Sequence, residues 1–167
     1  MRIKVKLAAG LYERVLTDLR RPHRTAAERV GFLGSTIGNR GGEGLLVFLT
    51  EYVPIPDEYY IEDPSVGARI NSAAILMAMQ RVLDTGQGIF HVHLHDCLGV
   101  PRYSWTDRQE IPPIIESCRN VGMTVAHGIL LLSPNKANCM VWPPSGDGFV
   151  NADRVSVVGH PLRFLEK

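Results

Sequence analysis

Cysteine is scarce: the 167 residues hold three, Cys97, Cys118 and Cys139, an odd number without CxxC spacing. That count argues against a disulfide framework and against a cysteine-type structural zinc site, and it favours a reducing compartment. An excess of charge of either sign is missing too. Eighteen Lys and Arg against seventeen Asp and Glu leave +1, so global charge points neither to nucleic acid nor to an anionic membrane surface. No apolar run approaches the roughly 18 to 20 residues that a membrane span needs. The opening MRIKVKLAAG interleaves its charges with apolar residues, whereas a signal peptide sets them ahead of an apolar block. Internal repeats, low-complexity blocks and linkers are absent as well. What remains is ordinary globular composition, 45% apolar and 21% charged with mean hydropathy near zero. The expectation is one soluble, cytoplasmic domain over 1–167, with no nucleic-acid or membrane partner.

Met1 to Leu7 alternates, with Ile3, Val5 and Leu7 on one side and Arg2, Lys4 and Lys6 on the other, which predicts a half-buried strand. Leu11, Val15, Leu16 and Leu19 recur at helical spacing, so a helix follows from Gly10 to about Arg21. The basic run Arg20–Arg24 reads as the charged end of that helix and a loop. Glu28 to Gly34 and Gly44 to Val53 read as strands, joined by hairpin-turn residues over Gly38–Gly42. A Pro- and acid-rich loop follows, then a helix over Asn71–Leu83 stopped by Gly86 and Gly88. Gly88 to His95 is the next strand, and a further helix is expected to start near Pro112, since proline suits a first turn. Met123–Leu132 and Ala137–Trp142 form a hairpin about Ser133–Lys136, and Arg154–Val158 is a last short strand. The fold class is mixed α/β (α+β), a mostly antiparallel sheet flanked by two or three helices.

The chemistry concentrates in His91-Val92-His93-Leu94-His95, followed by Ser104-Trp105-Thr106-Asp107. Strand alternation sends Phe90, Val92 and Leu94 one way and all three histidines the other. Same-face neighbours lie roughly 7 Å apart at Cα, while His91 and His95 are separated by roughly 13 Å. One ion therefore takes His91 with His93 or His93 with His95, and His93 belongs to both pairs. A catalytic zinc usually wants three protein ligands and an open position for water. Asp107 is the preferred third ligand; Asp96 adjoins His95 and points to the opposite face. Ser104-x-x-Asp107 is equally the signature of a helix cap.

HxH on a strand, S-x-x-D opening a helix and an upstream glutamate in Glu28-Arg29-Val30-Gly31-Phe32-Leu33 together resemble the JAMM motif of the JAB/MPN metalloprotease family, in its prokaryotic branch. The resemblance covers roughly residues 1–142. Family proteins usually carry Pro after the second histidine, where this chain has Asp96, and a spacing of about eight to the serine. Here Ser104 lies nine positions after His95 and eleven after His93, which favours His93 and His95 as the pair.

The resemblance implies a JAB/MPN-like, cytidine-deaminase-like architecture and zinc-dependent amide hydrolysis. His93, His95 and Asp107 would hold Zn²⁺, Glu28 would serve as general base, and Ser104 would donate to the oxyanion. It also implies an isopeptidase or peptidase acting after the extended C-terminal tail of a ubiquitin-like protein. Activating or conjugating enzymes of the same pathway are the further partners it suggests. The acidic loop Asp57–Asp63 is expected to line the tail groove and to favour basic residues there. Two alternatives stand beside it: a non-catalytic MPN-type module of a larger assembly, and a metal-dependent hydrolase of a small amide or peptide.

Overall fold

A computed structural model describes residues 1–38 and 44–165. In chain order the elements are β1 (Arg2–Ala8), α1 (Ala9–Leu19), β2 (Val30–Gly38), β3 (Gly44–Pro54), α2 (Ser72–Thr85), β4 (Gly88–Leu94), α3 (Trp105–Val121), β5 (His127–Leu132), β6 (Ala137–Trp142), β7 (Val150–Asn151), β8 (Arg154–Val158) and β9 (Arg163–Phe164). A 3₁₀ turn covers Asp57–Tyr59. Among the described residues, nine strands join one sheet in the order β7-β6-β5-β4-β2-β3-β1-β8-β9. Five of its eight pairings are antiparallel; β1 with β3, β1 with β8, and β4 with β5 are parallel. The mixed, mostly antiparallel architecture expected from the alternation is therefore present. β7 and β9, two residues each, carry no periodic signal and were not foreseen. The sheet curls, so that Leu165 bonds across to both Ala137 of β6 and Val155 of β8.

The two faces of the sheet are covered differently. Leu11, Val15, Leu16 and Leu19 of α1 pack on Ile3, Val5, Leu7, Val47 and Val92. On the other face, Ala74, Ala78 and Val82 of α2 and Ile111, Ile115 and Cys118 of α3 cover Phe32, Ile89, Ile129 and Leu131. Helical spacing put each apolar stripe on one side, and burying it fixes how the helix lies on the sheet.

Several boundaries differ from the sequence reading, among them the start of β5 at His127 where Met123 was expected, and one expected turn lies largely outside the described residues. The turn expected over Gly38–Gly42 lies, beyond Gly38, outside the described residues, although β2 and β3 do pair antiparallel. The strand expected from Glu28 begins at Val30, because the Glu28 N–H bonds to Gly67 O (2.9 Å) and not to a neighbouring strand. The helix expected from Pro112 begins at Trp105, with Pro112 and Pro113 in its interior. Proline there removes intrahelical donors for the carbonyls four residues earlier. Those belong to Arg108 and Gln109, both exposed, so water can satisfy them. The start is set by a capping box: Ser104 Oγ accepts from Asp107 N–H (3.0 Å) and Asp107 Oδ2 accepts from Ser104 N–H (2.7 Å).

Candidate metal centre

β4 pairs antiparallel with β2 and parallel with β5, so its side chains alternate between two covered faces. Phe90 and Val92 join the α1 side. His91 and His93 point to the α3 side, where Ile111 and Ile114 flank them. His95 follows the last strand residue, held by its N–H on Leu132 O (2.9 Å). The alternation expected of the three imidazoles is the one observed, with ring centroids 5.4 Å apart for His91 and His93 and 4.9 Å for His93 and His95.

Three separated segments converge here. Glu28, His93 and His95 offer ligand atoms that all lie within 4.8 Å of one another. Asp107, from the first turn of α3, brings Oδ1 to 3.2 Å from His93 Nε2 and Oδ2 to 3.6 Å from His95 Nε2. Ligands about 2.0–2.1 Å from a tetrahedral zinc stand about 3.3 Å apart, close to both separations. His91 stays outside this group. Its ring meets Phe32 and His93 edge-on, and burial, with the neighbouring His93 adding to it, pushes its pKa down to about 3. It is a neutral core imidazole.

His93 is the informative side chain. It is 1% exposed, and neither ring nitrogen has a hydrogen-bond partner among the described residues. Its Nε2 lies close to Asp107 Oδ1, yet not in the alignment of a hydrogen bond. Buried polar atoms are normally satisfied, and an orphan asks for an explanation. Two imidazoles and a carboxylate pointing at one spot, without bonding each other well, are what a divalent cation would satisfy, and the donor set of nitrogen and carboxylate oxygen suits zinc.

The surrounding charges agree. Burial alone would raise the Asp107 carboxyl, but His93 and Ser104 outweigh it and hold the group well below the usual carboxylate range. Burial and His93 together lower the His95 pKa against the opposing pull of Glu28 and Asp107, leaving that ring neutral and able to ligate. Capping and ligation are compatible at Asp107: Oδ2 accepts from the Ser104 N–H while Oδ1 faces His93. Such outer bonds orient a ligating carboxylate. Ser104 itself lies on the cleft that Glu28, His95 and Asp107 share, and among the described residues its hydroxyl hydrogen has no acceptor.

The acidic loop is placed otherwise than expected. Asp57 is engaged by the buried Arg29, whose two terminal nitrogens meet its oxygens at 2.8 and 3.2 Å. Asp63 pairs with Arg69 at 2.7 Å. The cleft is lined instead by Pro64 to Ala68, with Asp96 and Cys97 opposite. Two of the four carboxylates of Asp57–Asp63 are thus paired with arginines of the same chain, and none of the four lines this cleft. Neither Gly67 nor Arg29 carries a sequence signal that would have singled it out; both act through contacts made only in the folded chain.

No family model matches this chain, and no curated protein matches it. Among solved structures it is similar to the N-terminal domain of STIL from Trichoplax adhaerens, at 10% identity over 79% of this chain and a TM-score of 0.35. The chain spans 38% of that structure, and a likeness of this degree carries no functional argument. Among the described residues no helix is long and apolar enough to cross a membrane.

Proposed function

We propose that this chain is a zinc-dependent hydrolase of peptide or isopeptide bonds, built on a JAB/MPN-like architecture. The substrate class proposed is the extended C-terminal tail of a ubiquitin-like protein. The observation that carries the reading is the meeting of Glu28, His95 and Asp107 around the buried His93 ring, whose nitrogens have no hydrogen-bond partner among the described residues.

His93, His95 and Asp107 would hold the ion. Zinc in such a site supplies a Lewis acid and lowers the pKa of bound water toward neutrality. Glu28, within 4.8 Å of both histidines' ligand atoms, is placed to accept the proton of the attacking water and to return it to the leaving amine. Its neighbour Arg29 is anchored to Asp57, to Arg21 O and to Pro22 O, which fixes the segment that carries it. Ser104 Oγ–H is available to donate to the oxyanion while its lone pair caps α3.

The test is metal analysis of protein purified without chelator, followed by Glu28→Gln. Stoichiometric zinc is expected in both proteins. Cleavage of a ubiquitin-like fusion should fall by at least about 10² in the variant, the typical contribution of a general base. Absence of zinc, or undiminished cleavage by Glu28→Gln, overturns the reading. Zinc binding with cleavage of small amides alone would remove the ubiquitin-like substrate and keep the hydrolase.

A further inference from the structure

We infer that Gly67 is the seat of the Glu28 carboxylate, a positioning residue for the general base of the proposed hydrolase; the inference rests on that functional reading. A Cβ built on Gly67 would stand 2.7 Å from both Cδ and Oε2 of Glu28 and 3.1 Å from Oε1. The whole carboxylate therefore lies against the bare α-carbon. The two residues also share a backbone bond, Glu28 N–H to Gly67 O at 2.9 Å. Gly67 is not among the glycines of positive φ, which are Gly44, Gly86 and Gly99. Its φ is not in the left-handed region, so what a side chain at 67 would disturb is the seating of the Glu28 carboxylate and not the backbone.

The seat is itself held in place. The loop that carries Gly67 is closed at its base by the Tyr60–Ile70 bridge, by Ile61 N–H on Arg69 O (2.8 Å) and by the Arg69–Asp63 pair. Asp63 also accepts from the backbone and hydroxyl of Ser65 (3.0 and 2.5 Å). Behind Glu28, the bidentate Arg29–Asp57 contact fixes the next residue in the chain. Glu28 thus stands between two supports, and the only yielding part is its own side chain. A methyl at position 67 must push the carboxylate aside, changing its place relative to His93 and His95.

The experiment is a double-mutant cycle of Gly67→Ala in the wild-type and Glu28→Ala backgrounds, read by thermal melting, by zinc content and by kcat and KM. At a position of ordinary φ, Gly→Ala raises Tm, by about 1–4 °C for a chain of this size. That rise is expected in the Glu28→Ala background, where nothing is displaced; with Glu28 present, Gly67→Ala should lower Tm or leave it level. Gly67→Ala should bind zinc fully, keep its KM, and lose about tenfold or more in kcat, since displacement by an ångström can cost 10². Equal Tm shifts in the two backgrounds overturn the seat. Coupled melting with unchanged kcat in an active enzyme reduces it to a packing contact and overturns the positioning role. A zinc-loaded wild type that hydrolyses nothing refutes instead the functional reading on which the inference rests.

Discussion

Replacing His93 by leucine separates a metal ligand from a core histidine. In the metal-free protein two effects oppose each other. The substitution removes a 1%-exposed ring with unpartnered nitrogens, relieving about 1–3 kcal/mol for each unsatisfied buried group. It also takes from Asp107 the imidazole that stands 3.2 Å away and lowers its carboxyl pKa. The metal-free Tm is therefore expected to move by only a few degrees. Zinc decides the matter. At a free concentration of about 100 Kd, an ion that binds only the folded state adds about 2.7 kcal/mol. For a chain of this size each kcal/mol is worth about 2–4 °C, so the wild type should gain about 5–11 °C. His93→Leu should gain none, and neither should His95→Leu. His91→Leu should gain nearly the full amount, because His91 lies outside the converging group. Differential scanning calorimetry with and without zinc reads all four proteins. A full zinc shift in His93→Leu, or an equal loss in His91→Leu, refutes the assignment of ligands.

Ser104 carries two roles that can be separated. Ser104→Ala should cost about 1 kcal/mol through loss of the cap, whereas Ser104→Gly costs only a few tenths. Both should lose about 10²–10³ in kcat if the hydroxyl stabilises the oxyanion; a glycine variant as active as wild type leaves the serine only its cap. His127 supplies a pH test away from the proposed metal site. Its Nδ1 accepts from Ile89 N–H (3.2 Å) and its Nε2 faces Gly122 O (2.8 Å), so the neutral ring is fully satisfied. Burial lowers its folded pKa despite the Gly122 carbonyl. Below about pH 6.5 the unfolded chain takes up a proton that the folded ring refuses. Stability should therefore fall as pH drops below 6.5, and continue to fall until the folded ring protonates. Urea titrations at pH 7.5 and 5 should show a smaller loss in His127→Gln than in wild type; equal losses would exonerate the residue.

The local patterns that proved legible are those that repeat. Ile3, Val5 and Leu7 alternate and are buried; Leu11, Val15, Leu16 and Leu19 recur at helical spacing and are buried together. Signals that depend on one residue fared worse. Pro112 suggested a helix start, but the capping box at Ser104 and Asp107 starts the helix earlier, and its buried stripe of Ile111, Ile115 and Cys118 carries it past both prolines. In the acidic loop, the sequence did not show that Asp57 and Asp63 pair with Arg29 and Arg69 of the same chain.

At the site, strand alternation alone placed His91, His93 and His95 on one side of β4, because a period of two leaves a strand no other choice. It could not say which two share an ion. Tertiary structure supplies what alternation cannot: α3 enters beside the end of β4, bringing Asp107 to within 3.2 and 3.6 Å of His93 and His95, while the His91 ring meets Phe32. It likewise brings Glu28, some sixty-five residues before His93, to the same place, since β2 lies next to β4 and pairs Val30 with His93. Periodicity acts within one element, whereas convergence depends on the order in which strands join the sheet. The bare α-carbon of Gly67 beneath the Glu28 carboxylate belongs to that second kind of information.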